Sequence, residues 1–147
     1  MYTNRSRLVS PFLFVLIAMV QMAAGCSSSE EDSKKDIEKI IELAKANDLG
    51  ALANFIVYRG PDKARKWKDS YDVKDGWEKE RVDSMAESIR KIFSDDSSYE
   101  FGKFQKKTQS EGEWHVWEIS VKNKSETKTV IFAMLKIGDH YVIGDID

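Results

Sequence analysis

Residues 113–122 read EWHVWEISVK, and this stretch decides the fold. In its later half Trp117, Ile119 and Val121 alternate with Glu118, Ser120 and Lys122, the period of two that sends successive side chains to opposite faces of a strand. The odd-numbered face is apolar, so it predicts a sheet packed on that side and wetted on the other. Reading outward, further strands are expected from Tyr99 to Thr108, from Lys128 to Ile137 and from His140 to Ile146. The joints are Ser110-Glu111-Gly112, Asn123-Lys124-Ser125-Glu126 and the tight Gly138-Asp139, lengths that make hairpins. Four sequential strands joined in this way form an antiparallel meander. Val130 to Leu135 is apolar throughout, which predicts a strand covered on both faces, and a partly apolar outer face invites a homodimer or a partner.

Upstream of the strands the period becomes helical. Val82, Met85, Ala86, Ile89 and Phe93 make one stripe, and Asp75 with Glu78 opens it as a capping pair, so a helix is predicted from Gly76 to Phe93. Ile37, Ile40, Ile41 and Ala44 make an earlier stripe, with Ser33 and Asp36 as its capping signature and an end near Ala46. Asp48 caps a second helix carrying Leu49, Leu52, Ala53 and Ile56, widened by Phe55 and Tyr58 and stopped by Gly60-Pro61. Three helices followed by a four-stranded meander must pack as two layers, an α+β fold with helices across one sheet face.

The first residues carry a different message. Arg5 and Arg7 precede an apolar run from Phe12 to Val20, and Ala23, Ala24 and Gly25 lead to Cys26, the single cysteine. The run is under half the ~20 residues a spanning helix needs, and its length and flanks are those of a secretion signal. Residues 1–25 are therefore expected to be a cleaved leader, residues 26–33 a modified cysteine and polar tether, and residues 34–147 one α+β domain.

Without the leader 122 residues remain, enough for one domain and its core. Two of the 23 basic residues lie in the leader, which leaves 21 against 25 acidic ones. Such a mildly acidic domain lacks the basic footprint of a nucleic-acid binder. With Cys26 consumed, no thiol remains for a disulfide, and two histidines without a thiolate do not make a transition-metal centre. Glycine-rich phosphate loops and calcium-loop spacing are absent from the sequence, and no cofactor is expected.

Two resemblances add to this. Met22-Ala23-Ala24-Gly25-Cys26 resembles the lipobox of bacterial lipoproteins, with Ala23 in the place usually held by leucine. That resemblance implies lipid on Cys26, a membrane partner through the anchor and residence in the cell envelope, at the outer membrane, since Ser27 stands where aspartate would favour inner-membrane retention. The order of elements, together with Phe132–Asp147 (FAMLKIGDHYVIGDID) and the segment from Tyr58-Arg59-Gly60-Pro61-Asp62 to Arg65-Lys66-Trp67-Lys68-Asp69, resembles the NTF2-like (cystatin-like) superfamily as it occurs in small secreted lipoproteins of the Bacteroidetes type. It implies a sheet curled into a cone with a pocket between sheet and helices. Enzymes of that superfamily, isomerases and dehydratases, place an Asp, His or Tyr there, and binding members leave it apolar.

The candidate site residues follow from parity along the strands. His115 shares the inward face with Trp117 and Ile119, and Asp145 shares one with Tyr141 and Ile143, so the two are the expected catalytic pair, with a histidine general base. The alternative is a rim histidine, exposed or bonded to a backbone carbonyl. Trp67, Tyr71 and Trp77 are the expected ligand-binding aromatics, suited to stack on a sugar or other flat ligand, and equally suited to fill a small core. The expected function is a lipid-anchored envelope protein that binds a small molecule or a protein without catalysis. The competing expectations are a pocket enzyme built on His115 and Asp145, and an immunity or inhibitor protein acting on a partner enzyme.

Overall fold

Seven elements follow one another in the structure, a computed structural model that describes residues 27–147. They are α1 (Ser27–Lys45), α2 (Leu49–Ala53), α3 (Gly76–Ile92), β1 (Ser98–Gln109), β2 (Gly112–Lys122), β3 (Thr127–Ile137) and β4 (His140–Ile146). The expected leader, residues 1–25, and Cys26 lie outside the described residues. Among the described residues no helix is long and apolar enough to cross a membrane.

The strands form one antiparallel sheet in the order β1-β2-β3-β4, the meander that the short joints demand. The odd face of β2 meets the helices: Trp117 is 4% exposed, and Ile119 and Val121 are fully buried. Against them lie Ile37, Ile40 and Ala44 of α1, Leu52 of α2 and Val82, Ala86 and Ile89 of α3. The fold is α+β, three helices on one face of a four-stranded sheet.

Two bulges break the simple alternation. In β1 the register shifts between Phe101, opposite Ile119, and Phe104, opposite Trp117. Residues three apart would face opposite ways on a regular strand, but the extra residue brings both rings onto Trp117, with centroids 5.1 and 4.9 Å away. The second shift separates Ala133, opposite Asp145, from Met134, opposite Ile143. Gly144 is the additional residue, and a Cβ there would run into the Trp114 ring.

Three expectations need correction. The first helix does not start at Ser33; it runs back to Ser27, so residues 27–33 of the expected polar tether are helical. Ser33 is buried inside it, where its hydroxyl donates to the Glu30 carbonyl and accepts the Trp117 indole N–H at 3.1 Å. The second helix ends at Ala53, because Phe55 to Val57 turn extended along β4: Ile143 N–H donates to the Phe55 carbonyl at 2.7 Å and Val57 N–H to the Ile143 carbonyl at 3.0 Å. That contact covers an edge of the sheet that would otherwise leave backbone groups open. Finally, β3 is not covered along its whole outer face. Ile131 is 39% exposed, and only the Leu135 end is closed, by Val57 and Trp67 packed on Trp114 and Val142.

Candidate functional site

His115 is fully buried on the helix-facing side of β2, opposite Met134 of β3. Its ring stacks on Tyr141 with centroids 4.2 Å apart and meets Phe104 edge-on at 5.0 Å. The inward position is the expected one, but the partner is not. Nε2 lies 3.1 Å from Oε1 of Glu113, two residues earlier on the same strand and therefore on the same face. The Tyr141 hydroxyl donates to that same oxygen at 3.4 Å, and Lys106 Nζ reaches the other carboxylate oxygen at 2.6 Å.

Asp145 does not join them. The bulge at Gly144 shifts the parity by one, so Asp145 pairs with Ala133 on the outer side and is exposed, its carboxylate accepting the N–H of Ile146. The expected His115–Asp145 pair is thus replaced by His115, Glu113 and Tyr141, tied to β1 through Lys106.

Electrostatics follow from this packing. Burial, above all, pushes the His115 pKa below its ordinary value of 6.5, against the opposing pull of Glu113. With Nε2 facing a carboxylate, the neutral ring carries its proton there, and buried Nδ1 has no partner. A second proton would sit on that nitrogen with nothing to receive it. The bond from Lys106 holds Glu113 below the usual carboxylate range, and burial pushes the Tyr141 hydroxyl up to about 12. The group is a closed, oriented network whose histidine has no face open to a substrate.

The three expected aromatics separate. Tyr71 and Trp77 stay together, edge-to-face at 5.9 Å, and both pack on buried Tyr58. Trp67 lies on the other face of the sheet, edge-on to Trp114 at 6.0 Å, with the Arg59 guanidinium 4.7 Å above it. Its backbone has φ of 64°, an uncommon left-handed turn for a large side chain, and this turn carries the loop around the sheet edge.

Beside Tyr71 is an open cleft of about 380 Å³ between α2 and the loop before α3, bounded by Asn54, Arg65, Asp69, Ser70 and Asp72. Its polar floor is anchored by a forked ion pair. Arg65 donates from Nη1 and Nη2 to the two oxygens of Glu78 at 2.6 and 3.0 Å, and Glu78 is 3% exposed. Arg65 also reaches the Ser70 carbonyl and lies 4.0 Å over the Tyr58 ring. Lys63, Arg65, Lys66 and Lys68 make a short basic run, and its arginine is spent on the fold.

Sequence reasoning missed Glu113, Tyr141 and Lys106 around His115, and the Arg65–Glu78 fork. Glu113 was within reach of the same parity rule that placed His115. Nothing in the spacing of Arg65 and Glu78, thirteen residues apart across a loop, signals their pairing. Among the described residues no group of three or more His, Cys, Asp or Glu is arranged to hold a metal ion. No protein-family model matches the chain, and no curated protein matches it.

Proposed function

We propose that the chain is a lipid-anchored protein of the bacterial cell envelope, held at the outer membrane by acyl chains on Cys26. Its NTF2-like domain works by binding a small molecule or a protein, without catalysis. The anchor is supported by the arginine-led apolar run and the small residues before Cys26. Two or more acyl chains bind stably, each buried methylene contributing about 0.8 kcal/mol.

The burial of His115 is the observation that carries the non-catalytic half. An acid–base group must reach the proton it moves, yet this ring is enclosed by Phe104, Tyr141 and the Glu113 carboxylate. Between sheet and helices, Phe93, Phe132, Met134 and Tyr141 are each at most 1% exposed, which supports a packed layer rather than an open pocket there. Ligand binding then falls to the surface, and the Tyr71 cleft with neighbouring Trp77, 38% exposed, offers a flat aromatic edge beside polar groups.

Cys26→Ser tests the anchor: the variant is expected in the soluble fraction, unlabelled by a tagged fatty acid, and its persistence in the membrane would refute the anchor. A thermal-shift screen of glycans and metabolites on that soluble variant tests binding. A ligand that raises Tm, is recovered unchanged and loses its effect with Trp77→Ala is the expected result. Chemical conversion of a ligand that disappears with His115→Gln would establish an enzyme instead.

A further inference from the structure

We infer that the cleft beside Tyr71 takes an uncharged, polyhydroxylated ligand, a short neutral oligosaccharide, and refuses anions; this rests on the proposal that the domain binds at that cleft. Its volume of about 380 Å³ lies at the small end of the ~300–1,000 Å³ usual for small-molecule sites. Carbon surface comes from Tyr71, Val73 and, on α2, Gly50 and Ala53. Oxygen comes from Asn54, Asp69, Ser70 and Asp72. A pyranose ring has the same division, with C–H groups that lie on apolar surface and hydroxyls that bond to oxygen. Trp77, edge-to-face on Tyr71 at 5.9 Å, extends the aromatic surface for a longer chain.

The ligand class follows from which of these groups are already engaged. Among the described residues Arg65 is the one cation lining the cleft, and all three nitrogens of its guanidinium are bonded. Nε donates to Asp69, Nη1 to Glu78, and Nη2 to Glu78 and the Ser70 carbonyl. An incoming phosphate or carboxylate would meet Asp69 and Asp72 with no cation left to receive it. Acceptors, by contrast, are in surplus. Asp72 spends Oδ1 on the N–H of Lys74, and Asn54 spends its amide N–H on the carbonyls of Gly50 and Ala51. Asp72 Oδ2, Asn54 Oδ1 and the Ser70 hydroxyl have no hydrogen-bond partner among the described residues, and such lone pairs call for hydroxyl donors. An organic cation fits less well. Asp69 is already paired with Arg65 at 3.2 Å, and the Tyr71 ring, against Tyr58 at 5.4 Å and Trp77 at 5.9 Å, is not free to close an aromatic cage. The wall is also fixed before a ligand arrives. Buried Glu78 accepts the N–H of Asp72 at 2.6 Å, the Ser70 N–H donates to the Asp69 carboxylate, and the Tyr58 N–H holds the Asp69 carbonyl at 2.8 Å.

Saturation-transfer NMR and calorimetry on the full-length Cys26→Ser chain test this. The probes are neutral tetrasaccharides of glucose, mannose, xylose and N-acetylglucosamine, with tetragalacturonate as the anionic counterpart and spermidine as the organic cation. At least one neutral tetrasaccharide is expected to bind, and tetragalacturonate and spermidine are expected not to. Asp72→Asn, which keeps an acceptor for Lys74, should weaken that binding by about tenfold or more, the factor for losing hydrogen bonds to a charged acceptor. Gly50→Met should abolish it by filling the cleft from α2. Gly50 is exposed, and a Cβ there meets only Asp48 Oδ1 at 3.7 Å, so the variant is expected to keep the native melting curve. Binding of tetragalacturonate or spermidine that Gly50→Met removes keeps the cleft as a site and overturns the ligand class. Neutral-sugar binding that survives both variants overturns the assignment to this cleft. Failure of every neutral probe on a chain that melts normally overturns the class as well. The underlying reading of a binding domain falls only if the wider thermal-shift screen also finds no ligand.

Discussion

Arg65 and Glu78 are each other's reason to be where they are. A carboxylate 3% exposed is costly unless its oxygens are paired, and here Arg65 and the N–H of Asp72 pair them. Arg65→Met should destabilise the domain by about 3–5 kcal/mol, the usual penalty for leaving a buried charge without its partner, read by urea unfolding at neutral pH. The pair also sets an acid limit. The bond from Arg65 holds the Glu78 carboxyl below its ordinary 4.5, so its stabilisation is present above that value and is lost as pH falls through the lower folded value. His115 acts in the same direction at higher pH. Its folded pKa lies below 6.5, so beneath 6.5 the unfolded chain takes up a proton that the folded chain refuses. Stability should decline as pH drops from 6.5 toward the folded value, and His115→Phe, which keeps a ring against Tyr141, should flatten that part of the curve.

At the level of elements, the strands were legible and their parity only partly so. Alternation and short joints placed all four strands to within a residue of their observed ends, because a half-buried antiparallel sheet writes its period directly into the chain. Parity failed where a residue was added. Gly144 shifts Asp145 to the solvent side, and its own absent side chain is what makes room for Trp114. Gly144→Ala should cost about 1–3 kcal/mol through overpacking, with Trp114 fluorescence reporting the displaced ring. The start of α1 was misread for a related reason. Ser33 and Asp36 look like caps, but their side chains join α1 to the sheet, Ser33 at Trp117 and Asp36 at the N–H of Tyr141, 2.7 Å away. Capping chemistry and tertiary hydrogen bonding use the same residue types, and sequence alone does not separate them. The other end of α1 is a helix stop that could be read: Asn47 takes φ of 55°, and the N–H groups of Asn47 and Asp48 return to the carbonyls of Ala44 and Leu43.

On the scale of the molecule, one core joins three helices to one sheet face, and its centre is aromatic. Phe93, at the end of α3, is fully buried and meets Tyr99 at 5.3 Å and Phe132 at 5.7 Å. Phe93→Ala should cost ~3 to 5 kcal/mol by calorimetry or denaturant. A near-neutral result would mean that the site can collapse around the loss. The candidate site was half legible: its histidine was placed inward by period, but its partners depended on a bulge and on a lysine from the neighbouring strand. Helix α1 is joined directly to the sheet, Ser33 at Trp117 and Asp36 at Tyr141, and the proposed site of lipidation, Cys26, precedes that helix in the sequence. The intact mass of the protein extracted from membranes tests that account most directly. A chain that begins at Cys26 and carries the added mass of acyl chains is the predicted result, and a chain that retains residues 1–25 or carries no acyl mass would contradict it.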